Sequence, residues 1–371
     1  MSDNMINPDG ISMENGQIVN EAAPDPNAAL RFEDLTIDDE LSLLDRVVRY
    51  VRSGIALQRL VHVKMIAETA KTVGSELTVN TLIPLLPPLV VDTESIIRQH
   101  LATQILPVSL ICMFGHDPDF NPKEETHRSK YKHKHNTNIK YEERGYKIVT
   151  SIILNHINTL ITDADMDVRK AASDALATLA LYIKPEDVSS MILPIPLRMA
   201  IDTKPSSTNK DNNSKEKDKD DKNNAKNSNS KPLNSKTKTG PADELRITAS
   251  NLLADLASVD SSQITPAMVA KFITPTILNL CKNPAFRVRR AAVQAIPRVV
   301  HGTLVDDVHR HLLPCFESLA EDEMYRVRKS VGECLVDMSR SLMLLPYCPD
   351  ANVAAFGGGG GGRKDKGSQR K

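Results

Sequence analysis

The chain has 371 residues, 40% of them apolar, with 47 basic and 47 acidic side chains. That is ample for a sizeable core, and a net charge of zero carries no general affinity for nucleic acid or an anionic membrane. No tryptophan, aromatics at 4% and 22 prolines favour helices packed through Ala, Val, Leu and Ile.

Met1–Glu40 carries ten acids against one basic residue, Arg31, and reads as a disordered acidic arm. It lacks the basic-then-apolar pattern of a secretory signal. Asp45–Gly74 then reads as a first, degenerate helical unit containing Gln58-Arg59. Leu82-Ile83-Pro84 follows, and Pro84 precedes Ile97-Arg98 by 13 residues. The apolar runs at Leu82–Val91 and Ile105–Phe114 are too short to span a bilayer and are broken by proline. The polar segment 116–147 interrupts the pattern and is expected to be a disordered insert. Its His127, His133 and His135 lack acid or cysteine partners at ligand spacing, so no metal is expected there.

The apolar stripe resumes at Ile148. Asp163 leads into Val168-Arg169, followed by Ala171, Ala172, Ala175, Leu176 and Leu179. A second insert, 203–241, holds ten lysines and five acids and cannot bury enough surface to offset the entropy of ordering. It falls at the turn inside a helical unit, and Leu245-Arg246 restarts the stripe. From Phe272 to Met343 the same unit occurs twice, with Pro275 and Pro314 each 13 residues before Val288-Arg289 and Val327-Arg328. The two Val-Arg steps lie 39 residues apart, a period that marks stacked helical repeats. The prolines are expected to kink the first helix of each unit, and Pro297 the second helix of its own. Residues 344–371 form a Gly-rich basic tail, and the last unit is expected to expose Leu335, Met338 and Leu342.

Arginine holds one register in six units: Arg59, Arg98, Arg169, Arg246, Arg289 and Arg328. Six residues earlier stands Asp92, Asp163, Asn283 or Asp322 in four of them. An aspartate at the turn and an arginine in the next helix can pair across stacked copies, so Arg98, Arg169, Arg246, Arg289 and Arg328 are expected to form a structural ladder. The fold expected is all-α, a solenoid of about five to six helical hairpins over 41–343.

This aspartate-to-arginine pattern is that of HEAT repeats. Leu193-Pro194, Leu313-Pro314-Cys315-Phe316 and the Val-Arg-Arg-Ala and Val-Arg-Lys-Ser steps resemble the HEAT-repeat regulatory and scaffold subunits of phosphoprotein phosphatases. They look like the scaffold subunit of protein phosphatase 2A, and still more like the regulatory subunit 1 family of protein phosphatase 4. Leu43-Leu44-Asp45-Arg46 with Tyr50, followed by the Ile66–Val73 helix, is similar to the way that family begins its first repeat. The likeness covers Leu41 to Met343 apart from the inserts. It implies a non-catalytic scaffold that binds a serine/threonine phosphatase catalytic subunit. An adaptor for transport or trafficking is the alternative, although the tryptophan ladders of importin-type arrays are missing.

In such arrays the intra-unit turns line up as a ridge. A partner is therefore expected at Asp92, Glu94, Asp163, Asp165, Asp167, Arg287, Asp322, Glu323 and Arg326, whose charges change sign along the chain. No phosphate-cradling glycine loop, Gly-x-Ser-x-Gly or His-Glu-x-x-His occurs, and no histidine is followed by glutamate as in the di-iron hydroxylases built on similar repeats. Neither catalysis nor a cofactor is expected. Cys112, Cys281, Cys315, Cys334 and Cys348 show no paired spacing and read as reduced residues of a cytosolic or nuclear protein.

Overall fold

The turn that opens a second helix is built the same way at five places along the chain. A Ser, Asp or Asn oxygen accepts the backbone N–H two residues on: Ser53 from Ile55, Asp92 from Glu94, Asp163 from Asp165, Asn283 from Ala285 and Asp322 from Met324, at 2.8–3.0 Å. These side-chain turns hold the chain out of the helix for two residues and aim the second helix back along the first. The computed structural model describes residues 13–14, 17–18, 37–115, 141–201, 240–259 and 263–345.

Six hairpins follow one another. Repeat 1 pairs Leu43–Tyr50 with Ala56–Val63, which runs on through Ile66–Leu77; Gly74, at φ 77°, turns the chain into repeat 2. Repeat 2 is 78–90 with Ser95–Phe114, repeat 3 is 143–160 with Met166–Leu179, and repeat 4 is 185–201 with Pro241–Ser258. Pro266–Cys281 with Phe286–Gly302 makes repeat 5, and 305–319 with Tyr325–Met343 makes repeat 6. Successive second helices pack on one another, most extensively Pro241–Ser258 on Phe286–Gly302 and the latter on Tyr325–Met343. A two-residue antiparallel pairing, Met13–Glu14 with Gln17–Ile18, is the sole strand structure among the described residues.

The 3.6-residue stripe explains the packing. Val288, Ala292, Ala295, Ile296, Val299 and Val300 are all fully buried between repeats 4, 5 and 6. Each large aliphatic side chain so buried contributes about 1.5–3 kcal/mol. The small alanines let neighbouring backbones approach. At Gly302 the approach is closest: a Cβ there would lie 1.7 Å from the carbonyl oxygen of Ala257, and at Gly145 equally close to that of Cys112.

The prolines of the first helices do not act as simple kinks. Four of these helices carry a π turn just before the proline: Thr78–Leu82 before Pro84, Val188–Ile192 before Pro194, Val269–Ile273 before Pro275 and Val308–Leu312 before Pro314. In each, the residue after the π turn donates its N–H five residues back, as Leu193 does to Val188 at 3.0 Å. The wider turn makes room for a ring that would otherwise meet the carbonyl four residues behind it. Repeat 3 has the same turn at Val149–Ile153 with Asn155 in the proline position, so it belongs to the repeat's geometry as well. Pro297 is buried, and the helix Phe286–Gly302 continues through it.

Several boundaries move. The insert read as 116–147 ends earlier, because Tyr141 to Lys147 already belong to repeat 3. Tyr146 stacks edge-on with Tyr141, its hydroxyl donates to Asp187 at 2.6 Å, and Gly145 seats against Cys112. Aromatic contacts and a close backbone approach hold a stretch whose charges had marked it as loop. His127, His133 and His135 lie outside the described residues. The second insert separates Ile201 from Gly240 at the intra-repeat turn of repeat 4, and Pro241 is already the first residue of a helix. At the N-terminal side, Asp38 and Asp39 pair with Arg49 and Arg46 of the first helix; the rest of the acidic arm, apart from the short pairing, is outside the described residues. Ile66–Val90 and Ser95–Phe114 are longer than the apolar runs within them and match a membrane span in length and hydropathy (1.2 for both). About half of each is buried inside the array, where Leu82, Leu85, Leu86, Ile97, Leu101 and Ile105 pack between repeats.

At the far end of the array, Leu335 is 53% exposed as expected, but Met338 is only 3% exposed and Leu342 is half-buried against the core. Met338 continues the Val327–Val331–Cys334 stripe that faces repeat 5, whereas Leu335 sits one position off it, beside the exposed Val336.

Candidate functional site: the ridge of intra-repeat turns

The ridge is held together by the ladder, and three rungs have one geometry. Arg59 donates through Nε and Nη2 to both carboxylate oxygens of Asp92, at 2.7 and 3.0 Å. Arg98 does the same to Asp163 at 2.6 and 2.9 Å, and Arg289 to Asp322 at 2.7 and 2.8 Å. The remaining nitrogen, Nη1, turns back to the arginine's own turn. It donates to the carbonyls of Ser53 and Gly54, of Asp92 and Thr93, and of Asn283 and Pro284 respectively. Each arginine therefore ties its own turn to the next repeat's turn through the planar fork that only guanidinium presents.

The pairs are largely shielded: the side chains of Asp92, Asp163 and Asp322 are 6%, 10% and 8% exposed. The bonds from Arg289 hold the Asp322 carboxyl below the ordinary carboxylate range. Burial would raise Asp92 and Asp163, yet the bonds from Arg59 and Arg98, with backbone N–H donors, bring both below it as well.

Three arginines depart from the pattern. Arg169 meets repeat 4, where the insert occupies the turn, and pairs with Thr248 at 3.2 Å and Glu244 at 3.6 Å. Arg246 pairs with Asp243 in its own first turn at 2.7 Å. The residue at the aspartate position of the next repeat is Asn283, which keeps the turn's shape without its charge. Arg328 was expected to hold an aspartate and does not. Its Nη1 donates to the carbonyls of Asp322 and Glu323 at 2.6 and 3.0 Å, but no carboxylate pairs with its exposed side chain among the described residues. Asp322, in the same turn, is taken by Arg289.

The nine turn residues thus divide. Asp92, Asp163 and Asp322 face into the ladder and do not present a carboxylate to a partner. Glu94, Asp167, Arg287, Glu323 and Arg326 are exposed on the ridge. Asp165 is half-engaged: it caps the second helix of repeat 3 by accepting from the N–H of Asp167 at 2.8 Å. That bond, with one from the Ser95 side chain, draws its carboxyl below the ordinary value. Arg326 lies over the Phe286 ring, 5.7 Å from its centre, which joins the ridges of repeats 5 and 6.

Charge reading overlooked the ridge's apolar residues. Val91 and Ile96 flank the turn of repeat 2 and are 70% and 43% exposed, while Met166 and Tyr325, each the first residue of its second helix, are 66% and 65% exposed. For Ile96, Met166 and Tyr325 the signal available in sequence was a position three residues or fewer before the register arginine, where a solvated helix start is ordinarily polar. Among the described residues no three His, Cys, Asp or Glu side chains gather in a way that could hold a metal ion.

The HEAT repeat family model matches residues 312–342, which fall in repeat 6. No curated protein matches the sequence. Similar solved structures include Kap95p, from a structure of its binding to RanGDP. It is 11% identical, with a TM-score of 0.49, and the match covers 82% of this chain and 31% of that one. Cex1p is 10% identical over 82% of this chain and 45% of its own, with a TM-score of 0.42. A designed armadillo repeat protein in complex with the peptide (KR)4 is 15% identical over 80% of this chain and all of its own, with a TM-score of 0.38. With its six hairpins and Asp–Arg ladder, the chain is an all-α HEAT-repeat solenoid.

Proposed function

We propose that the chain is a non-catalytic scaffold whose ridge of turns binds another protein, and that this partner is the catalytic subunit of a serine/threonine phosphatase of the protein phosphatase 4 type. The observation that carries the protein-binding reading is the juxtaposition of exposed apolar residues with charges of both signs on a braced surface. Met166 and Tyr325 stand beside Asp167 and Arg326, and Val91 and Ile96 beside Glu94. Exposed aromatic, Met and Arg side chains are the enriched elements of protein interfaces, and mixed charge suits a partner with complementary patches. A nucleic acid would call for one continuous positive field. The bidentate rungs hold neighbouring turns at fixed spacing, which reduces the ordering cost of binding.

The phosphatase reading is supported by the resemblance of the Leu-Pro and Val-Arg steps to phosphatase scaffold subunits. The free thiols of Cys112, Cys281, Cys315 and Cys334 accord with a reducing compartment, the cytosol or nucleus. The test is capture of a purified protein phosphatase 4 catalytic subunit on the immobilised chain. Glu94→Lys, Asp167→Lys and Glu323→Lys together should abolish capture while leaving the helical circular dichroism unchanged, and Tyr325→Ala should weaken it alone. Failure of the wild-type chain to capture any phosphatase catalytic subunit would remove the phosphatase reading. Equal capture by the triple variant would move the binding surface off this ridge.

A further inference from the structure

Repeats 5 and 6 bring together two thiols separated by 34 positions in the chain. Cys281 is the last residue of the first helix of repeat 5, and Cys315 follows Pro314 in the first helix of repeat 6. Both line one cleft of about 310 Å³, with Leu278, Lys282, Arg310 and His311 also in its wall. Cys281 lies at the buried side and Cys315 is partly open to the cleft. The two thiols face each other closely enough across this cleft for each to shift the other's titration.

The pair is unequal. The neighbouring Cys315, together with burial, holds the Cys281 thiol well above the ordinary range. Cys281 and the Lys282 ammonium draw the Cys315 thiol below the ordinary range despite partial burial. No other described cysteine has this arrangement. Burial, with Glu142 nearby, pushes the Cys112 thiol up to about 12, and burial likewise raises Cys334.

We propose that Cys315 and Cys281 form a peroxide-responsive dithiol, with Cys315 the attacking sulfur and Cys281 the resolving one. The Cys315 thiolate attacks one oxygen of hydrogen peroxide. An S–O bond forms, the O–O bond breaks, and the second oxygen leaves as hydroxide, which takes the Cys281 proton to become water. The Cys281 sulfur then attacks the sulfenic sulfur of Cys315. The S–S bond forms and the S–O bond breaks, and the departing hydroxide takes up the proton first lost from Cys315. Two thiols and one peroxide thus give one disulfide and two waters. Lys282 at the cleft places positive charge beside the sulfur that must carry the negative charge. The resulting disulfide would link the first helices of repeats 5 and 6 covalently.

The experiment uses the full chain, treated with equimolar hydrogen peroxide, capped with N-ethylmaleimide and digested with trypsin without reductant. The expected product is peptide 272–282 joined to peptide 311–326, lost on treatment with dithiothreitol, while Cys112 and Cys334 recover as their maleimide adducts. In Cys281→Ser the sulfenic acid on Cys315 should persist and be trapped by dimedone. In Cys315→Ser, Cys281 should remain a thiol. Absence of the joined peptide from oxidised wild-type protein, or oxidation of Cys112 and Cys334 as fast as Cys315, would overturn the proposal. The wild-type mass-spectrometric result decides it even if a serine variant folds poorly.

Discussion

Replacing Arg289 by alanine separates the ladder's energetic role from the effect of merely trimming a long side chain. Arg289 makes two bonds to Asp322 and two to its own turn's carbonyls, and it is 15% exposed against 8% for the aspartate. Truncating one member of a buried pair costs about 3–5 kcal/mol because the remaining charge is left without compensation. Water reaches the edge of this pair, and Arg328 stands near Asp322, so about 2–3 kcal/mol is expected here. Arg328→Ala is the internal control: Arg328 makes the equivalent two carbonyl bonds but pairs with no carboxylate among the described residues, and about 1 kcal/mol or less is expected. Urea unfolding followed by circular dichroism, with amide exchange in repeats 5 and 6, reads both. The pH dependence supplies a second test. The Asp322 carboxyl is depressed in the folded state by Arg289, so its contribution is fully present above the ordinary carboxylate value of 3.8 and is lost as pH falls through the lower folded value. The gap between wild type and Arg289→Ala should therefore close under strongly acidic conditions. Equal losses from Arg289→Ala and Arg328→Ala at neutral pH would refute the view that the carboxylate bond braces the ridge.

Other perturbations test the rest of the array. Gly302→Ala should cost about 3 kcal/mol, because its Cβ would overlap the Ala257 carbonyl, whereas Gly54→Ala, with nothing within 4 Å, should stay within about 0.5 kcal/mol by urea denaturation. Equal effects would mean that the close approach of repeats 4 and 5 is not maintained. Deleting 203–239 while keeping Gly240, whose carbonyl accepts the N–H of Asp243 at 2.9 Å, should preserve helicity and melting temperature, since loop closure changes by only about 0.6 kcal/mol per doubling of length. A large drop in either would show that the segment carries part of the fold. The exposed Leu335 and Val336 should bind a hydrophobic dye, and Leu335→Lys with Val336→Glu should reduce that uptake without altering helicity; unchanged fluorescence would place the apolar surface elsewhere.

Much of the fold was legible because a solenoid is written in local terms. The apolar stripe after Val288, the proline steps and the recurring arginine all follow from a helix period repeated in one dimension, and each hairpin contacts chiefly its neighbours. Sequence alone thereby determined the helical hairpins, their order and the interruption at the turn of repeat 4. Of the five arginines it assigned to the ladder, Arg98 and Arg289 form rungs with an aspartate of the next repeat, and the rung of Arg59 was not among those assigned. Sequence did not reveal what each rung residue does besides pair. Ser53 shapes its turn as Asp92 does, and Asn283 keeps that shape without a charge, because the turn needs an oxygen acceptor and only the rung needs a carboxylate. Partner choice was likewise decided in three dimensions. Arg169 turns to Glu244 and Thr248, Arg246 finds Asp243, and Arg328 presents its fork with no acid paired to it among the described residues. The meeting of Cys281 with Cys315 and the seating of Gly145 on Cys112 are further products of tertiary structure. A register records which residues share a height in the stack; only packing between adjacent hairpins sets which side chains at that height touch, and how much water remains between them.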